Sequence, residues 1–210
     1  MKLYYSPGAC SHAPHIVLHE LGIKHDVEFV DLKTKKTKSG ADFWKINPKG
    51  YVPALQLDEG AVLTEAQVIL QYLGDLKPDA KLIPKMGSMD RYHLMEWLNY
   101  VSTEIHKGLS PLFHADQIVP NKEGNAEYRK WIKDSLGRKF DFLSKQMGDK
   151  QFLTGSGFTV ADAYLYTVVS WTKWLEIDLT KWPVLQAYVE RVKARPSVAA
   201  AMKMEKAGKE

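Results

Sequence analysis

Strand patterns occur only in the first third of this 210-residue chain, and every later apolar run repeats at helical spacing. That asymmetry limits the fold more than any single residue does, because a half-buried sheet needs a covering layer. The early runs are KLYY (2–5) and HDVEFVDL (25–32), the latter with apolar Val27, Phe29, Val30 and Leu32. VPALQL and AVLT then flank the turn DEG (58–60) and read as a β-hairpin. Residues 11–21 read as a helix, since Pro14 is tolerated only in a first turn and Gly22 is a natural stop. A β-α-β order makes its two strands parallel if they share a sheet.

Behind the hairpin, Val68, Ile69, Tyr72, Leu73 and Leu76 recur at helical spacing after a predicted N-cap at Thr64. The order β-α-β then β-β-α is that of an α/β thioredoxin-like domain, predicted over 1–78. The aperiodic, two-proline stretch KPDAKLIPKMGS supplies a linker, placed at 79–86. The remainder, 87–210, is predicted to be an all-α C-terminal helical bundle. Leu94, Leu98, Val101, Ile105 and Leu109 form one stripe; Tyr128, Ile132, Leu136, Phe140, Leu143 and Met147 form another. Residues 160–175 are apolar nearly all round, as in a central helix, and begin at FTVAD, where Thr159 and Asp162 can make a capping-box variant. Val184, Leu185, Tyr188, Val189 and Val192 suggest a further helix, closed by RPS.

Charge and composition exclude several functions. Lys and Arg number 29 against 25 Asp and Glu, a balance of +4 spread along the chain and too weak for a nucleic-acid partner. The densest run, LKTKKTKSG (32–40), has no interleaved aromatics and reads as a solvated loop, with Lys35 the candidate anion contact. No stretch approaches the roughly 20 apolar residues of a membrane span. MKLYYSPGAC lacks the apolar core of a signal peptide, so a cytoplasmic location without a membrane partner is expected. The one cysteine cannot form an intrachain disulfide.

That cysteine, Cys10, lies in SPGACSHA between the first strand and first helix. Unpaired amides and the helix dipole favour an anion there, so its thiol is expected to ionise readily. Ala13, three residues on, leaves no second thiol to resolve a mixed disulfide, which excludes dithiol oxidoreduction. His12, His15 and His19 follow at a spacing that can ligate zinc, but HExxH is absent and no metal site is assigned. Asn99, Thr103 and His106 fall within about 60° of one another on an ideal helix, a neutral hydrogen-bonding face that suits a polar cleft.

YSPGACS, NPKGYVPAL, LTEA, EWLNYVSTEIHKG and FTVADAYL, in this order, resemble the successive motifs of the bacterial beta-class glutathione transferases. The resemblance covers essentially the whole chain and implies the glutathione transferase fold, a homodimer, and reduced glutathione as co-substrate with no tightly bound cofactor. It implies a cis Pro53 that presents the Val52 backbone to the ligand, and a carboxylate at Glu65 that receives the ligand ammonium. Many relatives carry Ser where this chain has Ala66, leaving only a backbone amide. Lys35 is implied to meet a ligand carboxylate. Asn99, Thr103, His106 and Lys107 are implied to line the site, with Asn99 serving the neighbouring chain.

The implied reaction joins glutathione sulfur to electrophilic, largely apolar small molecules, with Cys10 and His106 as the catalytic pair. Tyr5, Phe113 and Trp171 are expected as apolar walls of the acceptor cleft. Thiol transfer through Cys10 is a second expected activity. The alternative is a non-catalytic regulator or carrier of hydrophobic ligands.

Overall fold

The computed structural model describes residues 1–155 and 157–209. Its N-terminal elements run β1 (Lys2–Tyr5), α1 (His12–Glu20), β2 (Asp26–Asp31), β3 (Lys36–Thr37), α2 (Phe43–Ile46), β4 (Ala54–Gln56), β5 (Val62–Thr64) and α3 (Ala66–Leu76). The sheet order is β3-β2-β1-β4-β5. β1 and β2 are parallel, as the β-α-β order demands, and β4 and β5 form the expected hairpin.

Alternation along β1 sets up two cores. Leu3 and Tyr5 face α1 and α3 within the main apolar cluster. Tyr4 faces the opposite side, with Val30, Phe43, Val52 and Ala54. Here the structure adds what periodicity could not show. Part of the lysine-rich loop pairs with β2 as β3, at two residues too short to signal itself. The four-residue α2, capped by Asp42, inserts the fully buried Phe43 beneath the sheet. The N-cap of α3 is Glu65 and not Thr64: Thr64 still pairs with Ala54 in β5, so the chain turns one residue later.

The second part comprises α4 (Met89–Tyr100), a π-helical turn over Val101–His106, α5 (Lys107–Phe113), α6 (Ala115–Ile118), α7 (Lys122–Met147), α8 (Val160–Val169), α9 (Pro183–Lys193) and α10 (Pro196–Lys209). The Leu94-to-Leu109 stripe is wholly buried, and so is every residue of α8. α8 ends at Val169 rather than near 175, and the chain tightens into a 3₁₀ turn at Ser170–Lys173. α9 closes at Lys193, just before RPS, as expected, but a further helix follows it. Pro196 opens α10, where its missing N–H removes no helical bond. No helix among the described residues is long and apolar enough to cross a membrane.

α1 packs on α3, α8 and α10, and one apolar cluster runs through both halves of the chain. That continuity fixes the halves relative to each other. The α8 N-terminus is also pinned: the predicted capping box forms, and the Asp162 carboxylate accepts from Leu153 N–H, Thr159 N–H and the Thr159 hydroxyl. The Tyr188 hydroxyl donates to the same residue from α9.

Candidate active site

A cleft of about 720 Å³ opens where the sheet meets the helical half. The turn after β1 forms its floor and places Cys10 there, two residues before α1. Gly8 makes this turn possible: its φ is +74°, and a Cβ would lie 2.5 Å from the Trp174 ring. Its carbonyl accepts from Trp171 Nε1–H at 2.8 Å, tying the turn to the helical half. The Cys10 thiol donates to the Val52 carbonyl at 3.2 Å, and the Val52–Pro53 bond is cis, as expected.

Cys10 does not ionise readily in this setting. Burial pushes its thiol up to about 12, and the Glu65 carboxylate pushes the same way against backbone amides and Lys107. The helix-terminus argument fails here because loss of water costs a thiolate more than nearby amide dipoles return.

The rim opposite carries paired charges. Glu65, at a φ of +71°, ion-pairs with Lys49 at 2.6 Å, and each side chain is more than half exposed. A non-glycine residue held in that region costs of order 1–3 kcal/mol, a cost that recurs at ligand-facing positions. Ala66 follows as the first residue of α3. Lys35 donates to the Gly50 carbonyl at 2.9 Å and lies 5.6 Å from the centre of the Tyr51 ring. Asn47, Lys49 and Tyr51 also line the cleft, and sequence reasoning missed them. Their signal was present: all three fall in INPKGYVPAL, read only for its proline.

His106 projects into the cleft from the end of the π-helical turn, beside Lys107. Its Nδ1 shares a 2.7 Å hydrogen bond with the Tyr164 hydroxyl, and its ring meets Trp171 edge-on at 4.9 Å. Burial, reinforced by Lys107, lowers His106 to about 4, so the imidazole is neutral at neutral pH. Phe113 and Trp171 form the expected apolar wall, their rings 5.5 Å apart. Tyr164 is a further missed residue, hidden in the all-apolar pattern of α8.

Three expected residues are not in this cleft. Tyr5 is fully buried and donates to the Glu205 carbonyl, because the unforeseen α10 covers that side of the sheet. Asn99 and Thr103 are exposed, with the Thr103 hydroxyl turned back onto the Asn99 carbonyl. The reason is the π-helical turn, whose extra residue breaks the 3.6-residue register. Ser102, His106 and Ser110, spaced by four, share the cleft instead. A second cavity of about 810 Å³ lies beyond Gly8 and Trp174, but neither Cys10 nor His106 reaches it.

Residues 7–76 match the family model "Glutathione S-transferase, N-terminal domain", and residues 100–196 match "Glutathione S-transferase, C-terminal domain". The chain is 42% identical to glutathione S-transferase GstA of Escherichia coli O157:H7 over 205 residues, 98% of each chain. It superposes on the bacterial beta-class enzyme of Sphingomonas chungbukensis with a TM-score of 0.89 at 43% identity, covering 98% of each chain. A sphingomonad glutathione S-transferase complexed with glutathione gives a TM-score of 0.90 at 40% identity, covering 98% of this chain and 99% of that one. Thioredoxin-like sheet, helical half and the cleft between them together make this chain a bacterial beta-class member of the glutathione S-transferase family.

Proposed function

We propose that the Cys10 cleft binds reduced glutathione and joins its sulfur to electrophilic, largely apolar small molecules. The observation that carries this reading is the convergence of Cys10, Val52, Glu65 and His106 on one cleft that also holds the Phe113 and Trp171 wall. Glutathione carries two carboxylates, one ammonium and a thiol. Glu65 receives the ammonium, the Ala66 amide at the α3 N-terminus and Lys35 take the carboxylates, and Val52 pairs with the ligand backbone. Glutathione is bound in the sphingomonad relative, which supports the assignment.

In the proposed reaction the ligand thiol loses its proton, its sulfur attacks the electrophilic carbon, and the leaving group departs with the bonding electrons. Cys10, held protonated by burial, donates a hydrogen bond to the ligand thiolate once the ligand occupies the Val52 carbonyl. Neutral His106, oriented by Tyr164, uses its other ring nitrogen to receive the thiol proton on its way to solvent. Lys107 favours the thiolate through its charge. In the second activity, thiol transfer, the Cys10 sulfur attacks a glutathione disulfide as its thiol proton passes to the departing sulfur, and one glutathione is released. A second glutathione then displaces the Cys10 sulfur.

Cys10→Ser separates the two activities. A hydroxyl can still donate, so conjugation of a chloronitrobenzene should stay within about tenfold of wild type while disulfide exchange is abolished. Loss of conjugation by more than a hundredfold, with glutathione affinity intact, would assign Cys10 a nucleophilic part in conjugation as well.

The division into 1–78 and 87–210, joined by 79–86, is supported by the placement of the two family matches. A homodimer is supported by exposed Val68, Leu76, Met89, Tyr92 and Met95 along α3 and α4. In that assembly exposed Asn99 and Thr103 serve the partner's ligand. Light scattering at working concentration tests it, and a monomer mass removes that role. A cytoplasmic location accords with the reduced glutathione that the reaction consumes.

A further inference from the structure

On the face of α1 away from the cleft, three imidazoles meet. His15 and His19, one helical turn apart, share that face of α1, and His25 reaches them from the residue before β2. Their ring centroids lie 5.0 to 5.2 Å apart, and one ring nitrogen from each falls within 4.8 Å of the others. The Nε2 atoms of all three are buried and have no hydrogen-bond partner among the described residues. We propose that His15, His19 and His25 form a binding site for a divalent transition metal ion of the zinc type, apart from the glutathione cleft.

The surroundings prepare these rings as ligands. His25 Nδ1–H donates to the Ile23 carbonyl at 2.7 Å, which leaves its Nε2 as a lone pair. His15 Nδ1 bonds the Glu205 carboxylate at 3.0 Å, which fixes the same tautomer in the arrangement that supports imidazole ligands to zinc. Glu205 also holds His12 at 2.7 Å, but His12 has no nitrogen grouped with the other three, so the set is His15, His19 and His25 rather than the spacing-based His12, His15 and His19. Burial, and then the other two rings, lower His19 to about 4, while burial also lowers His25. Three ligands at about 2.05 Å in a tetrahedral shell need their nitrogens about 3.3 Å apart, within reach of small side-chain rotations. The fourth position falls to water, since His19 and His25 are only partly buried. A bound ion would join α1 to the start of β2 and, through Glu205, to α10.

The test is zinc chloride titrated calorimetrically into the full-length, untagged, chelator-stripped protein. The expected result is about one zinc per chain, retained in Cys10→Ser and in the surface control His93→Asn, weakened by more than about a hundredfold in His19→Asn and about tenfold in Glu205→Gln. Glutathione conjugation by His19→Asn at the wild-type rate shows that the variant is folded. Should it not fold, cobalt(II) added to wild type decides: bands of a four-coordinate nitrogen site without sulfur-to-cobalt charge transfer support the proposal. No zinc bound at about 0.1 mM, binding that Cys10→Ser removes, or equal binding by folded His19→Asn overturns it.

Discussion

Asp162 and the Cys10 cleft are both polar centres, one sealed in the core and one open at its rim, and their hydrogen bonds are organised in opposite ways. Asp162 is consumed by the fold: two backbone amides and two hydroxyls from three segments converge on it. In the cleft each functional group holds a partner that a ligand can replace. Cys10 rests on the Val52 carbonyl, Lys35 on the Gly50 carbonyl, and Glu65 on Lys49. A polar network closed on itself locks a helix in place, whereas one built of exchangeable pairs receives a charged peptide at little cost.

Removing Asp162 gives the largest expected effect. Asp162→Ala strands the Leu153 and Thr159 amides in the core, at about 1–3 kcal/mol for each unpaired group, so urea unfolding should shift by about 3–5 kcal/mol. Activity per folded molecule should stay at the wild-type level, and a variant that kept its stability would erase the contrast. Next is His106→Ala, for which conjugation should fall about a hundredfold in kcat/KM while the unfolding midpoint moves little. Should stability fall and turnover persist, His106 belongs with Asp162 and not with the cleft.

The smallest effect is a difference in pH dependence. Burial raises Asp162 to about 6, against its hydrogen bonds, so its contribution to stability is full below the unfolded value near 4 and is lost as pH rises through 6. Burial lowers His106 to about 4, so its contribution is full above about 6.5 and is lost as pH falls through 4. Measured by urea unfolding at pH 4 and pH 7, His106→Asn should gain on wild type as the solution is acidified. Asp162→Asn should lose ground over the same range. A loss by His106→Asn would contradict the depressed His106, and a gain by Asp162→Asn would contradict the raised Asp162.

The two regions also differ in how much of them the sequence revealed. The capping box at Thr159 and Asp162 was legible because its partners are three residues apart and its chemistry is local. β1, α1, the hairpin and the long stripes were legible for the same reason, since their periods repeat over enough residues. The cleft was legible mainly through family resemblance, which implied Cys10, cis Pro53, Glu65 and His106. Non-local structure lay outside the reach of sequence reading: a π-helical turn takes Thr103 out of line with His106, and α10 seals Tyr5. The raised Cys10 thiol was invisible in the sequence because burial, and charges as distant along the chain as Glu65 and Lys107, act on it only once the chain is folded. The His15, His19 and His25 cluster escaped similarly, its third member arriving from outside the helix.

In the proposed function the charged pair at the α3 N-terminus is held for glutathione rather than for the fold. Calorimetric titration of glutathione into Glu65→Gln tests it most directly. An exposed ion pair contributes under about 1 kcal/mol to stability, so the variant should unfold with wild type. Its glutathione dissociation constant should rise about tenfold or more, as expected for losing a charged partner of the ligand ammonium. Wild-type affinity in this variant would contradict the account.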